Sequence, residues 1–371
     1  MRASADRFEV CGTCAPLLLA MFLGGCSEGA ARESELTFAH DETDAVTLMG
    51  DSVGAVATSK GSRIRVVGGH AWIKDYGGDP WLHIVRLSDG QLMSTAGRIS
   101  DQTGDFEAVT GYGQVPGTQD IGWVYDQGFK RISFGSVDEA GALHISERLE
   151  LRDTVARLGR IAWLGPDRIV GMSPEEDSRF AIIDGGTGET IRLQKGELLG
   201  SDTLPEQARW SASYSYVSIC PAPAGEKFAV AYGWVGRIEM FDASAVLRGL
   251  ADVPFPSSPA FAGQPQGDIR YTPVHSYYSD CVATDSAIYA LFAGRRLSDF
   301  EVIDEGLGTY VHVFDWDGHL QRVYELDKPA LSIAIAEDGV TMYTLGGGEP
   351  QSLFRYTLAG DDRLEKGGVV E

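Results

Sequence analysis

The 371-residue sequence predicts an all-β fold in which short antiparallel sheets repeat around a central axis. Three observations predict it: short runs of alternating apolar residues, many glycine-containing turn dipeptides, and a strand pattern that recurs along the chain. Asp-Gly dipeptides at 89–90, 184–185, 317–318 and 338–339 mark tight turns. With 46 glycines, the chain favours many short connections over long helices.

The N-terminus reads as an export signal. Residues 15–25 form an apolar run that ends in small residues, follows Arg2 and Arg7, and is too short to span a bilayer. Leu23-Gly24-Gly25-Cys26 resembles the bacterial lipoprotein signal, in which the cysteine becomes the lipidated first residue. Residues 1–25 are then a lipoprotein signal peptide, and residues 26–42 are lipidated Cys26 and a flexible tether. The alternative is an ordinary secretory signal with a chance cysteine.

The chain from 43 to 360 contains a recurring strand pattern. Runs of small residues, typical of crowded inner strands, lie at 62–69, 106–114, 155–164, 214–221, 276–283 and 330–337. They are spaced roughly 45 to 65 residues apart, which suits four strands and their loops. Second strands are predicted at 71–76, 121–125, 168–172, 228–232, 288–292 and 341–345, and third strands at 82–87, 180–184, 237–241 and 310–314.

The clearest repeat lies between Tyr310 and Leu358. Residues 310–314 and 320–326 alternate with a period of two on either side of a turn at 315–318, which predicts a hairpin. Large and small residues then alternate over 331–336, as expected for a strand near the axis of a closed assembly.

The two ends of the repeat region are expected to meet. The last repeat ends after its third strand, Leu353–Leu358, while residues 43–49 precede the first repeat without a partner. Pairing these segments supplies the missing outer strand and closes the ring, which removes the exposed edges. Residues 361–371 are predicted to form a disordered C-terminal tail.

The pattern resembles the TolB-like six-bladed β-propeller lipoproteins of bacteria. The residues that carry the resemblance are Ile288–Gly294, Val311–Gly318, Tyr324–Asp327 and Thr341–Thr344, with weaker matches at 72–75 and 97–106. The resemblance implies a six-bladed β-propeller with four-stranded antiparallel blades and an exported location. It brings no agreed activity and no catalytic residues.

The formal net charge of −22 disfavours nucleic acid as a partner, because an acidic protein repels phosphate backbones. The charge is otherwise typical of a soluble surface.

Motifs that would carry catalysis or bind metal are weak. Gly50–Gly54 matches a serine nucleophile elbow, but the residues after it favour a strand where that motif requires a helix. Asp315–Gly318 resembles the start of a calcium loop but lacks the later acidic ligand. No histidine pair has zinc-binding spacing, and Cys11 and Cys14 lie in the segment to be removed. We expect no metal and no cofactor.

Cys220 and Cys281 occupy the same register in consecutive predicted inner strands, seven or eight residues before the second strand. Neighbouring blades place such positions close together, so an exported protein could join them in a disulfide. The alternative is two small thiols that pack as hydrophobic groups.

A ligand or partner face is predicted from the loops. In a propeller, the loops before the inner strands and those from second to third strands open on one face, and here they include the long segments 199–212, 250–275 and 295–308. Aromatic and cationic residues at their edges are typical anchors: Arg209, Trp210, Tyr214, Tyr216, Tyr271, His275, Tyr277, Tyr278, Arg295 and Arg296. The alternative is that these aromatic side chains fill the blade tops.

The sequence therefore predicts a lipid-anchored, exported propeller in the cell envelope, on the periplasmic face of a membrane, most simply the outer one. It would bind a small molecule or a protein at its top face without catalysing a reaction. The alternative is a hydrolase or lyase that acts on a small or sugar-like substrate at the pore mouth.

Overall fold

The computed structural model describes residues 45–58, 63–98, 106–152, 158–173, 178–196, 198–199, 206–252, 261–262, 272–273, 275–296, 308–347 and 350–358. The predicted signal peptide, Cys26, the tether and the C-terminal tail lie outside these residues.

Within the described residues, four separate four-stranded antiparallel sheets follow one another along the chain. The first contains β3 (Arg63–Val67), β4 (His70–Lys74), β5 (Leu82–Arg86) and β6 (Leu92–Ala96), and the second β7 (Val109–Gln114), β8 (Ile121–Asp126), β9 (Arg131–Val137) and β10 (Leu143–Glu150). The third contains β11 (Ile161–Leu164), β12 (Arg168–Met172), β13 (Phe180–Asp184) and β14 (Thr190–Gln194). The fourth follows helix α1 (Glu206–Tyr214) and contains β15 (Val217–Pro221), β16 (Lys227–Tyr232), β17 (Arg237–Asp242) and β18 (Leu247–Asp252). The predicted order of strands within each repeat is confirmed.

The C-terminal part of the chain forms an eight-stranded sheet that divides into two halves. Its elements are β1 (Val46–Leu48), β2 (Asp51–Val56), β21 (His275–Ala283), β22 (Ile288–Arg296), β23 (Gly308–Phe314), β24 (Leu320–Ile335), β25 (Thr341–Gly346) and β26 (Gln351–Thr357). Residues 320–325 of β24 pair with β23, whereas residues 330–335 pair with β25. One long strand is thus the outer strand of one blade and the inner strand of the next. Two short strands, β19 (Phe261–Ala262) and β20 (Thr272–Pro273), pair separately.

The inner strands of the described blades contact one another in a cyclic order: β3 with β7, β7 with β11, β11 with β15, β15 with β21, β21 with β24, and β24 with β3. An all-β propeller with antiparallel four-stranded blades is therefore confirmed. Tight turns allow these strands to reverse: Gly90, Gly318 and Gly339 of the predicted Asp-Gly turns have positive φ angles of 70°, 95° and 70°, which glycine adopts without steric cost.

The strand that pairs with β26, the last described strand, is not the predicted one. Asp51–Val56 pairs antiparallel with β26, whereas Val46–Leu48 of the predicted segment pairs parallel with residues 324–326 of β24. Val56 is 2% exposed and packs against Leu345 and Leu353. The apolar side chain of Val56 can be buried in this register, while Met49 remains 73% exposed.

The hydrophobic core lies between neighbouring sheets. Phe180 of the third sheet meets Phe228 and Phe241 of the fourth with ring centroids 5.5 and 4.9 Å apart. Between the first two sheets the buried ring of Trp72 lies so close to Gly122 that a Cβ there would be 2.2 Å from it. A glycine is required at this position because the sheets approach closely.

Candidate functional site

A channel with a volume of about 560 Å³ runs along the inner strands. All six inner strands contribute lining residues, because each strand alternates side chains between the channel and the blade interior. The channel combines apolar walls with several convergent polar groups, which makes it the candidate site.

Cationic side chains gather at one end of the channel. Arg63 begins β3, Lys74 ends β4, and Arg160 directly precedes β11. Antiparallel blades place the start of each inner strand and the end of each second strand at the same end, and Tyr76 follows β4 there. We call Arg63, Lys74, Tyr76 and Arg160 the basic cluster; all four line the channel.

Short contacts hold the basic cluster in place. The Arg160 Nη1 donates to the Thr110 carbonyl over 3.0 Å, and the Lys74 ammonium donates to the carbonyl of Val109. The Lys74 Nζ lies 4.0 Å from the centroid of the Tyr76 ring. Tyr76 is 46% exposed and lines the channel, and its side chain also hydrogen-bonds Arg160.

Asp280 is a fully buried carboxylate beside the basic cluster. Arg65 Nη1 and Nη2 each donate to it over 3.0 Å, and Arg63 Nη1 lies 3.8 Å from its Oδ1. It also accepts hydrogen bonds from the Ser218 and Ser332 hydroxyls, so it connects β3, β15, β21 and β24. Burial alone would raise the pKa of Asp280, but the charges of Arg65 and Arg63 outweigh it and lower this pKa to about 2.

Three side chains of the basic cluster have lowered pKa values: Tyr76, Lys74 and Arg160, the last mainly through burial. Burial would raise the pKa of the Tyr76 phenol, but the positive charges of Arg63, Arg160 and Lys74 outweigh it and lower that pKa to about 8. The pKa of Lys74 falls to about 8, mainly because burial disfavours its charged form. Arg160 and Arg63 add repulsion to this effect. The cluster therefore stabilises negative charge at its centre.

The opposite end of the channel carries acidic and amide groups. Asp285 and Glu337 line it, and Gln114 Nε2 donates to Glu337 Oε1 over 2.9 Å. The channel is thus polarised, with cations at one end and carboxylates at the other.

The predicted face residues on helix α1 lie where the inner strands begin. Trp210 is 40% exposed and packs on Tyr214, with ring centroids 5.0 Å apart. The Tyr214 hydroxyl donates to the Ser178 carbonyl over 3.1 Å, and Arg209 Nη2 donates to the Leu198 carbonyl over 3.5 Å. The segment 199–212, predicted from the sequence as a loop, includes part of helix α1. The carboxylate of Glu206 in the first turn stabilises the helix, because it interacts with the positive N-terminal end of the helix dipole.

Tyr216 and His275 lie on the same side of the propeller. The Tyr216 ring stacks on Trp234 at 4.7 Å, and burial raises its pKa. Its backbone φ of 55° lies in the left-handed region, which is uncommon for a bulky residue and costs free energy. The His275 ring lies 6.0 Å from Tyr277.

Two predicted face residues are buried and do not form part of an exposed surface. Tyr278 is 2% exposed, because its ring packs against Phe292 and its hydroxyl meets His312 Nδ1 at 3.1 Å. Tyr277 is 4% exposed. For these two side chains the alternative, filling of the blade, is correct. Tyr271 and the side chains of Arg295 and Arg296 lie outside the described part.

Cys220 and Cys281 are joined by a disulfide with a Cα–Cα distance of 5.8 Å. It links β15 to β21 and lies against the channel beside Asp280. Both cysteines are 1% exposed.

The weak motifs have structural roles. Ser52 of the Gly50–Gly54 motif lies in strand β2 and pairs with Phe354, so the strand-turn-helix geometry of a nucleophile elbow is not formed. Asp315 holds the hairpin turn, because its Oδ1 accepts from the backbone N–H groups of Asp317 and His319. Asp315, Asp317 and His319 are the one group with metal-ligand spacing among the described residues, and Asp315 Oδ2 there already accepts from Gln321.

The basic cluster is not among the site residues predicted from the sequence. Arg63 and Arg65 alternate with apolar residues in a predicted inner strand, and charged residues near a propeller axis are the signal that could have found the channel site. Lys74 and Arg160 carry no such pattern, and only the three-dimensional fold brings them together.

No helix within the described residues combines the length and the hydropathy needed to cross a membrane.

The protein-family comparison agrees with this architecture. Residues 123–338 match the family described as TolB-like 6-blade propeller-like. A search of curated proteins gave no significant match. Among solved structures, the chain is similar to the beta-propeller domain of Myceliophteria thermophila Cps50 (Swd1), with 10% identity, a TM-score of 0.43, and coverage of 84% of this chain and 100% of that one. It is also similar to U3-55K, with 10% identity, a TM-score of 0.44, and 80% coverage of both chains. These two similarities are too low to support a function.

Proposed function

We propose that this chain, which belongs to the TolB-like 6-blade propeller-like family, is a lipid-anchored binding module of the cell envelope. Its six blades form a ring that Asp51–Val56 closes by pairing with β26, and this pairing supports the closure. A protein or small-molecule ligand binds where the inner strands begin, and the protein catalyses no reaction.

The polarised channel is the observation that carries the binding proposal. A concave site with aromatic and apolar walls and a few converging polar groups is the usual form of a ligand pocket. The exposed Trp210 and the half-buried Tyr214 on helix α1 extend the same side with aromatic surface. Tyrosine and tryptophan bind partners well because they give a large contact area at low entropic cost.

The proposed lipid anchor is supported by the sequence alone. Leu23-Gly24-Gly25-Cys26 carries the lipoprotein pattern, and acyl chains attached to Cys26 would hold the propeller at a membrane through the burial of methylene groups. The Cys26→Ala variant is expected to move from the membrane to the soluble fraction of an expressing bacterium. Equal membrane retention of Cys26→Ala and the wild type would contradict the anchor.

The binding face is tested by photo-crosslinking in the same bacterium. A photoreactive phenylalanine analogue at Trp210 is expected to give discrete adducts. At Leu92, which is 47% exposed on the outer strand β6, it is expected to give none. Adducts at both positions in equal yield, or at neither, would contradict a specific face near α1.

A second candidate function is catalysis at the channel mouth, on a small or sugar-like substrate. The lowered pKa values of Tyr76 and Lys74 favour it, because such groups can transfer protons near neutral pH. Turnover of a polysaccharide fragment that is lost in Tyr76→Phe would establish the enzyme and exclude a module that only binds.

A further inference from the structure

We propose that the basic cluster binds the oxyanion group, a carboxylate or a phosphate, of a small organic ligand whose apolar or aromatic body lies along the channel. This inference rests on the proposed binding function and names the chemical class of its ligand.

The local charge balance is the first argument. Arg63, Arg65, Lys74 and Arg160 line the channel, and Asp280 is the carboxylate within ion-pair distance of Arg63 and Arg65. Within the described residues no carboxylate lies within 4.0 Å of Lys74 or Arg160. Partly buried cations without counterions are costly, and the formal charge of the whole chain is −22. An anion from outside would supply the missing negative charge.

The available donors are the second argument. Arg65 uses both terminal nitrogens on Asp280, so its guanidinium is already occupied. Arg160 uses Nη1 on the Thr110 carbonyl and also hydrogen-bonds the Tyr76 side chain. A guanidinium has five N–H donors, so Arg160 retains donors for an oxyanion, and a planar fork of this kind matches carboxylate and phosphate geometry.

The channel beside the cluster provides space for an apolar body. Trp123, Trp163 and Ile161 contribute to its wall, and Ile219 and Ile335 contribute from further inner strands. A volume of about 560 Å³ is in the range of small-molecule sites. The carboxylates Asp285 and Glu337 at the far end would repel a second anionic group, which fixes the orientation of the ligand.

The ionised Tyr76 phenol competes with a bound anion for the positive charge of the basic cluster. The groups that face it are Arg63, Arg160 and Lys74, and its own phenolate is stabilised there with a pKa of about 8. The Lys74 ammonium titrates in the same range. Because Tyr76 and Lys74 interact, they titrate as a pair, and the first proton leaves this pair near pH 8. Loss of a proton from the Tyr76 phenol or from the Lys74 ammonium reduces the net positive charge of the cluster by one. The affinity for an anion therefore falls as the pH rises through 8.

The test uses purified full-length protein and three probes: benzoate, phenyl phosphate and the neutral benzamide. Isothermal titration calorimetry at pH 7 is expected to give millimolar or tighter binding of at least one anion, about the affinity that a ligand of this size achieves, and no binding of benzamide. Arg160→Gln is expected to weaken anion binding roughly tenfold or more, because the anion loses a hydrogen bond from a charged group. The matched control Arg168→Gln changes the same charge on the same blade, where the side chain is 46% exposed, and is expected to have no effect.

A spectroscopic readout keeps the test decisive if Arg160→Gln folds poorly. Absorbance near 295 nm is expected to show one tyrosine ionising near pH 8, absent in Tyr76→Phe and shifted upward by a bound anion. Lys74→Met serves as the second binding variant. Binding of benzoate alone identifies a carboxylate site, and binding of phenyl phosphate alone a phosphate site.

Three results would overturn the inference: no probe binds, benzamide binds as well as the anions, or Arg168→Gln weakens binding as much as Arg160→Gln. Photo-crosslinking at Trp210 is scored separately, so a failure of the anion site is distinguishable from a failure of the proposed binding face near α1.

Discussion

The Asp280→Asn variant is expected to lose about 3 to 5 kcal/mol of unfolding free energy, the usual cost of removing one partner of a buried ion pair. Asp280 is fully buried and accepts from both terminal nitrogens of Arg65, whose side chain is 21% exposed. Asparagine has nearly the same shape but no charge, so Arg65 loses its counterion. The hydrogen bond from Ser332 is weakened as well, which loosens contacts between several inner strands.

The same carboxylate gives a pH dependence with a definite sign. The pKa of Asp280 in the fold is about 2, below its ordinary value of 3.8, so the carboxylate stabilises the fold fully above about pH 4. This contribution, on the order of 2 kcal/mol, is lost as the pH falls towards 2. The Asp280→Asn variant should lack that part of the acid transition.

Urea denaturation at pH 7 and at a series of lower pH values measures both effects. Asp317→Asn is the matched control, because Asp317 is exposed in the 315–318 turn and should change stability by less than about 0.5 kcal/mol. If Asp280→Asn remains within 1 kcal/mol of the wild type, Asp280 is not the centre of the inner-strand network.

Removing the disulfide in Cys220→Ala/Cys281→Ala is expected to cost about 4 kcal/mol. The bridge closes a loop with a sequence separation of 61, and the chain-entropy model assigns this magnitude to the restriction of the unfolded chain. Both sulfur atoms are also buried, so their removal leaves small cavities.

Thermal and urea unfolding with and without a reductant measures the effect of the bridge. The reductant should lower the stability of the wild type towards that of the double variant and should leave the double variant unchanged. Alkylation of the denatured, unreduced protein followed by peptide mass spectrometry checks the bond itself. Quantitative alkylation of the Cys220 and Cys281 peptides would show two free thiols and contradict the bridge.

The blade pattern could be predicted from the sequence because local signals determine it. Predicted inner strands at 214–221 and 276–283 correspond to Val217–Pro221 and His275–Ala283. The alternation of apolar residues with a period of two, together with Asp-Gly turns, requires no knowledge of distant contacts.

The pairing of Asp51–Val56 with β26 could not be predicted in the same way. Residues 43–49 and Asp51–Val56 are both short and β-like, and only the burial of Val56 against Leu353 distinguishes them. Such a contact joins residues about three hundred positions apart, and the choice between two registers depends on which side chains fit between sheets.

The candidate site was predicted only in its general location. The end of the propeller where the inner strands begin contains Trp210 and the basic cluster, but the basic cluster lies on strands and beside them, not on the long loops. Tyr278 illustrates the difficulty: the register of β21 shifts on both sides of this residue, so simple alternation along the sequence does not say which side chains face the channel. Lys74 and Arg160 meet only because two blades place them at one end of the axis.

The proposed binding sites depend on inner strands that surround one channel, and the proposed closure of the ring is the pairing of β2 with β26. A disulfide between cysteines introduced at Ala55 and Ser352, which are direct partners across this pair, tests that closure most directly. Peptide mass spectrometry of the oxidised protein should find an intramolecular Ala55→Cys/Ser352→Cys bridge, and none for the control pair Thr47→Cys/Ser352→Cys, because Thr47 pairs with Glu325. A bridge in the control pair without one at Ala55 and Ser352 would contradict the closure and the channel that depends on it.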